Sequence, residues 1–173
     1  MKLDPPIETP RLKLRAYRRD DRDFSVGMWC DGENGAYMSD PLFADVDAEY
    51  LAYFDEMEDD PDGYYLIAER KDTGERIGTC CLFPEDDNCD IGYCVRKDRW
   101  HEGFGSEMLA GMLAWIRASG FRTVTAEVAD RNAASNGLLA KSGFVSETAT
   151  RFRKYGGDTV FDAHIRKLTL DPK

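Results

Sequence analysis

Histidine is scarce in this chain. The two present, His101 and His164, stand far apart, and the five cysteines (Cys30, Cys80, Cys81, Cys89, Cys94) form an odd set with no C-x-x-C pair. Zinc sites need closely spaced His and Cys ligands, so no metal centre is expected. Cys80 and Cys81 are adjacent, would point to opposite faces of a strand and cannot chelate together. Buried, reduced thiols are the reading that remains. No stretch reaches the roughly 20 apolar residues that span a bilayer, so no membrane partner is expected. The opening MKLDPPIETPRLKLR has prolines and alternation where a signal peptide would carry an apolar block, which points to a cytoplasmic protein. A basic cluster is missing too. Nucleic acid is therefore not an expected partner, because its phosphates demand such a surface.

What the chain does have is enough apolar side chain to fold: 42% hydrophobic and 12% aromatic across 173 residues, the size of one domain covering 1–173. Its net charge of −10 is unevenly spread. Residues 20–62 hold fifteen of the 33 acidic residues and one base, Arg22. An acidic front beside a mildly basic remainder suits a cationic substrate meeting an anionic cofactor, and equally suits a solvated surface that aids solubility.

Hydrophobic alternation marks RLKLRAY (11–17) as a strand, and helical spacing marks stretches near 21–30 and 46–58. GYYLIAER (63–70) and RIGTCCL (76–82) read as a hairpin, FPEDDN as a polar turn, and CDIGYCV (89–95) as a further strand. A long helix is predicted from about Gly103 to Ser119, with Met108, Leu109, Met112, Leu113, Trp115 and Ile116 inward and Gly120 as its stop. RTVTAEV (122–128) returns as a strand, a short helix ends at Lys141–Gly143, and two strands surround Gly156 and Gly157. The order predicts an α+β, mixed α/β fold with one βαβ crossover over 89–128.

The stretch KDRWHEGFGSE (97–107) places Gly103 and Gly105 where that long helix begins. A P-loop would need GxxxxGK[ST], and a dinucleotide fingerprint a third glycine at 108, which is Met108. A strand, a Gly-x-Gly arc and a helix N-terminus remain. Such an arc suits a pyrophosphate, or is simply a helix start.

Downstream stands NAASNGLLAKSGF (132–144). With it, the chain resembles the GNAT acetyltransferase superfamily, and within it the RimJ/RimL branch of ribosomal-protein N-acetyltransferases. TPRLKLR is similar to that branch's TxRLxLR strand and RIGTCCL to its IGxxxL strand. DIGYCVRKDRWHEGFGSEML is similar to its Gly-Tyr…WGxGxxxE segment, and NAASNGLLAKSGF to its NxxSxxLLxKxGF segment. The resemblance implies a central, mostly antiparallel twisted sheet of about seven strands, flanked by about four helices, whose βαβ crossover forms the coenzyme A cleft. It implies acetyl-CoA as cosubstrate, with Trp100, His101, Glu102, Gly103, Phe104, Gly105 and Ser106 around its pyrophosphate. Strand 91–95 would splay from 122–128, with pantetheine pairing near Cys94 and Val95. Asn132 and Ser135 would flank the pantetheine or thiol, and Lys141 would approach the phosphates. Trp100 replaces the Gln or Arg of many superfamily members, as is usual in this branch.

Transfer to an amine needs a base, because a lysine-type amine is protonated at neutral pH. Asp90 is the first candidate, one carbon shorter than the branch's usual Glu, and Glu127 is the alternative. A backbone N–H near Cys94 would hold the oxyanion, leaving Cys94 no nucleophilic role. Many relatives place a tyrosine acid where Leu139 stands, which leaves Ser135 as the hydroxyl for the departing thiolate. Tyr93 and His164 are lesser candidates for substrate contact. The expected activity is acetylation of a primary amine by direct ternary-complex transfer, the acceptor being a protein N-terminus or a small cationic amine. The branch also commonly forms homodimers. The alternative is a regulatory module that keeps the acyl-CoA cleft without turnover.

Overall fold

The computed structural model describes residues 2–170. One sheet runs through it. In chain order its strands are β1 (Ile7–Glu8), β2 (Leu12–Ala16), β3 (Tyr64–Arg70), β4 (Arg76–Glu85), β5 (Asn88–Val95), β6 (Thr123–Ala129), β7 (Val145–Arg153) and β8 (Val160–Thr169). In space they lie β1-β2-β3-β4-β5-β6-β8-β7. Every neighbouring pair is antiparallel except β5 and β6, the parallel pair that a crossover helix must join. The four helices are α1 (Arg22–Trp29), α2 (Ala48–Glu56), α3 (Phe104–Ala118) and α4 (Ala133–Lys141).

The sheet has eight strands where the patterning indicates about seven. The extra one, β1, is two residues long and lies between the prolines at 6 and 10, too short for alternation to register. The FPEDDN turn also contracts. Phe83 to Glu85 continue β4 and Asn88 opens β5, so the reversal is made at Asp86 and Asp87, Asp86 taking a φ of 50°.

The alternation along each strand divides the interior into two cores. Leu12, Leu14, Leu66, Leu82, Ile91 and Val124 pack against Met108, Leu109, Met112 and Ile116 of α3 and Leu139 of α4. On the opposite face Tyr17, Tyr65 and Ile67 meet Tyr50 and Phe54 of α2, with Phe24, Val26 and Trp29 of α1 alongside. α3 packs closely because Gly111 sits against the β1–β2 turn, where a Cβ would come within 2.7 Å of the Thr9 methyl.

β5 and β6 share only three pairs, Asn88 with Thr123, Cys89 with Val124 and Asp90 with Thr125. Beyond them β5 stays with β4 as far as Val95, and β6 stays with β8 as far as Ala129. The two strands therefore part into a wedge-shaped gap that opens both faces of the sheet between residues 91–95 and 126–129.

Candidate active site

The closed end of the gap is clasped by side chains. Asn88 Nδ2 donates to Thr125 Oγ1 at 2.9 Å, Thr123 Oγ1 donates to Asn88 Oδ1 at 2.8 Å, and Thr125 Oγ1 donates to Asp90 Oδ1 at 2.7 Å. Asp90 thus stands at the apex. Burial raises its carboxyl above the ordinary range, the Thr125 hydrogen bond opposes this, and the Glu127 charge adds to it. Glu127 itself is exposed on β6.

Backbone polarity along β5 follows from its pairing. Arg96 N–H donates to Ile77 O, and Cys94 is paired with Thr79. Period-two alternation then turns the N–H and C=O of Cys94 toward β4, and those of Tyr93 and Val95 into the gap. The amide expected near Cys94 is therefore supplied by its neighbours, while Cys94 projects its thiol onto the α1–α2 face. Burial pushes that thiol up to about 12, with Asp40 adding and Asn34 opposing, so it stays protonated at neutral pH. The Val95 carbonyl accepts from Trp100 Nε1 at 2.7 Å and from Asn34 Nδ2 at 3.3 Å.

The mouth of the gap meets the glycine arc. Gly103 is the N-cap of α3 with φ 82° and ψ 3°, a left-handed conformation that a side chain would strain, and His101 also has a positive φ of 65°. Gly105 faces Leu138 and Val95, and a Cβ there would rest 3.6 and 3.8 Å from their methyl carbons, so its hydrogen keeps the cradle between α3, α4 and β5 open. Phe104 is buried, so only its backbone is available to a ligand; Glu102 and Ser106 are exposed. The first-turn amides of α3 have no partners within the helix and carry its positive dipole end.

Arg11, unremarked in the sequence apart from its place in the TPRLKLR strand, braces this arc. Its Nη1 donates to Glu102 O at 3.1 Å, its guanidinium lies 4.2 Å over the Phe104 ring, and its Nε donates to Glu107 Oε2 at 2.6 Å. Glu107 also accepts from Thr9 Oγ1 and from Arg11 N–H.

α4 begins on the other side of the mouth. Asn132 caps it, its Oδ1 accepting from Ser135 N–H at 3.1 Å. Ser135 Oγ lies 3.0 Å from Tyr93 OH, a hydroxyl pair that spans the mouth from α4 to β5. Leu139 is wholly buried in the core. Lys141 is exposed one turn beyond Leu138 on the same side of α4. His164 lies on β8, where its Nδ1 is 2.6 Å from Asp130 Oδ1. Tyr93, Val95, the arc and Ser135 thus converge; His164 is engaged elsewhere.

On the opposite face the loop between α1 and α2 lies over the ends of β4 and β5, tied at two points. Asn34 Nδ2 donates to Cys94 Sγ at 2.9 Å and its Oδ1 accepts from Lys97 N–H at 2.6 Å. Lys154 Nζ donates to Gly35 O at 3.1 Å and Met38 O at 2.9 Å, and Tyr155 N–H donates to Ser39 O at 2.7 Å.

Known proteins bear on this geometry. Residues 11–145 match the family model described as the acetyltransferase (GNAT) domain. The chain is 28% identical over 170 residues to YoaA of Bacillus subtilis, an uncharacterized N-acetyltransferase, covering 95% of this chain and 96% of that one. It is similar in fold to a spermidine N-acetyltransferase from Vibrio cholerae solved with CoA and spermine (TM-score 0.76, 16% identity, 92% of this chain and 95% of that one). The same holds for RimL, a ribosomal L7/L12 alpha-N-protein acetyltransferase solved with CoA (TM-score 0.75, 16% identity, 97% and 98%).

Proposed function

This chain belongs to the GNAT acetyltransferase family and is an acetyltransferase, and from that premise we propose that it moves the acetyl group of acetyl-CoA to a primary amine by direct transfer within the gap. The observation that carries the reading is the parting of β5 from β6 after three pairs, directly beside a helix N-terminus whose cap is a left-handed glycine. The residues fit such a cosubstrate. The Gly105 cradle is free of side chain, the arc presents amides to a pyrophosphate, and the gap presents backbone N–H and C=O groups to an extended amide-bearing chain.

Acetyl-CoA supplies an activated thioester. The chain's part is to position it and manage charge. The amides of Tyr93 or Val95, fixed by the strand, stabilise negative charge on a carbonyl oxygen held in the gap, a service that preorganised amides supply without reorganisation. The Ser135 hydroxyl, oriented by Tyr93, donates to the departing sulfur. The proton of the incoming ammonium leaves to a carboxylate on the α1–α2 face, where Asp40, Asp90 and Glu127 stand. The two CoA-bound neighbours are named for spermidine and for a protein N-terminus as acceptors, and the acidic 20–62 segment favours a cationic amine here.

Calorimetry with acetyl-CoA on the wild type and Gly103→Val, followed by thiol release against pooled amines, tests this. Binding by the wild type and not by the variant, with thiol release, is the expected result. Binding without thiol release across the pool would leave an acyl-CoA-binding module, and no binding would leave a fold without the activity.

A further inference from the structure

Directly after the second tie of the α1–α2 loop, which ends at Ser39, stands Asp40. Its side chain is partly buried, and its Oδ1 accepts from Tyr50 OH at 2.6 Å. Lys154, the cation that ties the loop from beyond β7, directs its hydrogen bonds to the carbonyls of Gly35 and Met38 and forms no ion pair with Asp40. Tyr50 has no further proton to offer, its one O–H being given to Asp40, while its oxygen accepts from the Cys30 thiol 3.7 Å away. A desolvated carboxylate supported only by neutral donors, here the Tyr50 hydroxyl and its own backbone N–H, is costly unless a cation joins it.

Through Tyr50, Asp40 belongs to the same face of the sheet as Cys81, the face onto which Cys94 projects its thiol. Asn34 of the same loop reaches the Cys94 thiol at 2.9 Å, and the negative charge of Asp40 acts on the thiols of Cys94 in β5 and Cys81 in β4. The groups around it are therefore Cys30 at the end of α1, Tyr50 and Tyr53 of α2, Cys81, Cys94 and Lys154. None of these provides a fixed cation within ion-pair distance.

We propose that Asp40 receives the acceptor's ammonium group beneath the loop and takes its proton, making the neutral amine that attacks. The inference rests on the transferase reading above and deepens it by naming the group that selects a cationic acceptor. Asp90, the residue first expected in this role, spends an oxygen on Thr125 at the closed end of the gap, where it joins the two strands. Burial raises the proton affinity of Asp40, and the Tyr50 hydroxyl, its own backbone N–H and the Lys154 charge oppose it. In a poorly solvated site an ammonium and such a carboxylate relax toward neutral amine and neutral acid, because the separated charges lose more hydration than the pair recovers. The amine lone pair then forms the C–N bond, the C–S bond breaks, and the proton still on nitrogen leaves with the thiolate as product thiol.

Asp40→Asn keeps the volume and the Tyr50 contact while removing charge and basicity. With spermidine, lysine and a hexapeptide bearing a free N-terminal serine as probes, the variant should bind acetyl-CoA within twofold of wild type by calorimetry. Its kcat/KM should fall at least 100-fold at pH 7 and recover about tenfold per pH unit, as solvent supplies the neutral amine. Asp40→Glu should retain at least a tenth of wild-type kcat/KM. Wild-type kcat/KM in Asp40→Asn, or a loss equal at every pH, would overturn the assignment while leaving the transferase intact. No thiol release by the wild type with any probe would remove the transferase reading and the assignment together.

Discussion

Arg11 and Glu107, 96 residues apart in sequence, meet at 2.6 Å and so fasten the first turn of α3 to the turn that opens β2. The same guanidinium holds the Glu102 carbonyl, so the glycine arc is braced from outside as well as by its own backbone. Burial raises the Glu107 carboxyl, but the hydrogen bonds from Thr9 and Arg11 outweigh it and hold the group below the usual carboxylate range. Arg11→Ala should weaken acetyl-CoA binding about tenfold and lower stability by about 1–2 kcal/mol, for loss of a charge-assisted hydrogen bond and a cation–π contact. Calorimetry and thermal unfolding read the two effects separately.

A second ion pair sets the acid limit of stability. Asp21, almost wholly buried, accepts from Arg15 Nη1 at 2.7 Å and Nη2 at 2.9 Å and from Arg76 Nη1 at 3.1 Å. Burial alone would raise its carboxyl; the Arg15 and Arg18 hydrogen bonds overcome that and lower it. A carboxyl depressed in the folded state contributes stability that is fully present above its unfolded value, about 3.9, and is lost as pH falls through the folded one. Asp21→Asn should therefore cost about 2–3 kcal/mol at pH 7, because Arg15 keeps its Glu69 pair at 2.6 Å but loses its charge-assisted bonds to Asp21, and progressively less below pH 4. Urea unfolding at pH 7 and pH 3 measures both; an equal cost at the two values would refute the account.

The hydroxyl pair of Tyr93 and Ser135 predicts a split between binding and turnover. Ser135→Ala removes the hydroxyl proposed to serve the sulfur and leaves the Asn132 cap bond, which uses the Ser135 backbone N–H. Turnover should drop 10- to 100-fold with acetyl-CoA affinity unchanged. Tyr93→Phe, which frees the serine to rotate, should show a smaller loss in the same direction.

Gly35 tests the loop over the α1–α2 face. A Cβ there would lie 1.8 Å from the Trp29 carbonyl oxygen, so the loop cannot hold its path with any other residue. Gly35→Ala should raise the amine KM at least tenfold while acetyl-CoA still binds, since the arc and gap lie on other elements. Calorimetry beside steady-state kinetics decides it.

Much of the frame is legible in the sequence, because it rests on local periodicity. Leu12 and Leu14 alternate with bases, Met108 to Ile116 recur at helical spacing, and each falls where the pattern put it. The glycine arc was legible in its own residues, whereas the splaying of the strands came only through the family resemblance that the paired motifs carry. The α1–α2 face was not. Asn34 finds Cys94 60 residues away and Lys154 finds Gly35 119 residues away, and neither carries a local signature, since loop residues acquire their roles only when distant segments close on them. Asp40 was one acid among fifteen in an acidic segment until burial set it apart. Backbone direction was equally hidden: that Tyr93 and Val95, and not Cys94, face the gap depends on the register with β4.

Counted by unpaired backbone, the parted sheet has four edges instead of two. β1 and β7 bound it outside, and the far ends of β5 and β6 confront each other within. Exposed strand edges ordinarily invite other chains to pair and aggregate. Here two of them are turned inward and roofed by α3, α4 and the α1–α2 loop. On the proposed reading, the hydrogen-bonding capacity that would endanger a β protein becomes a filter for slender molecules that carry amides of their own.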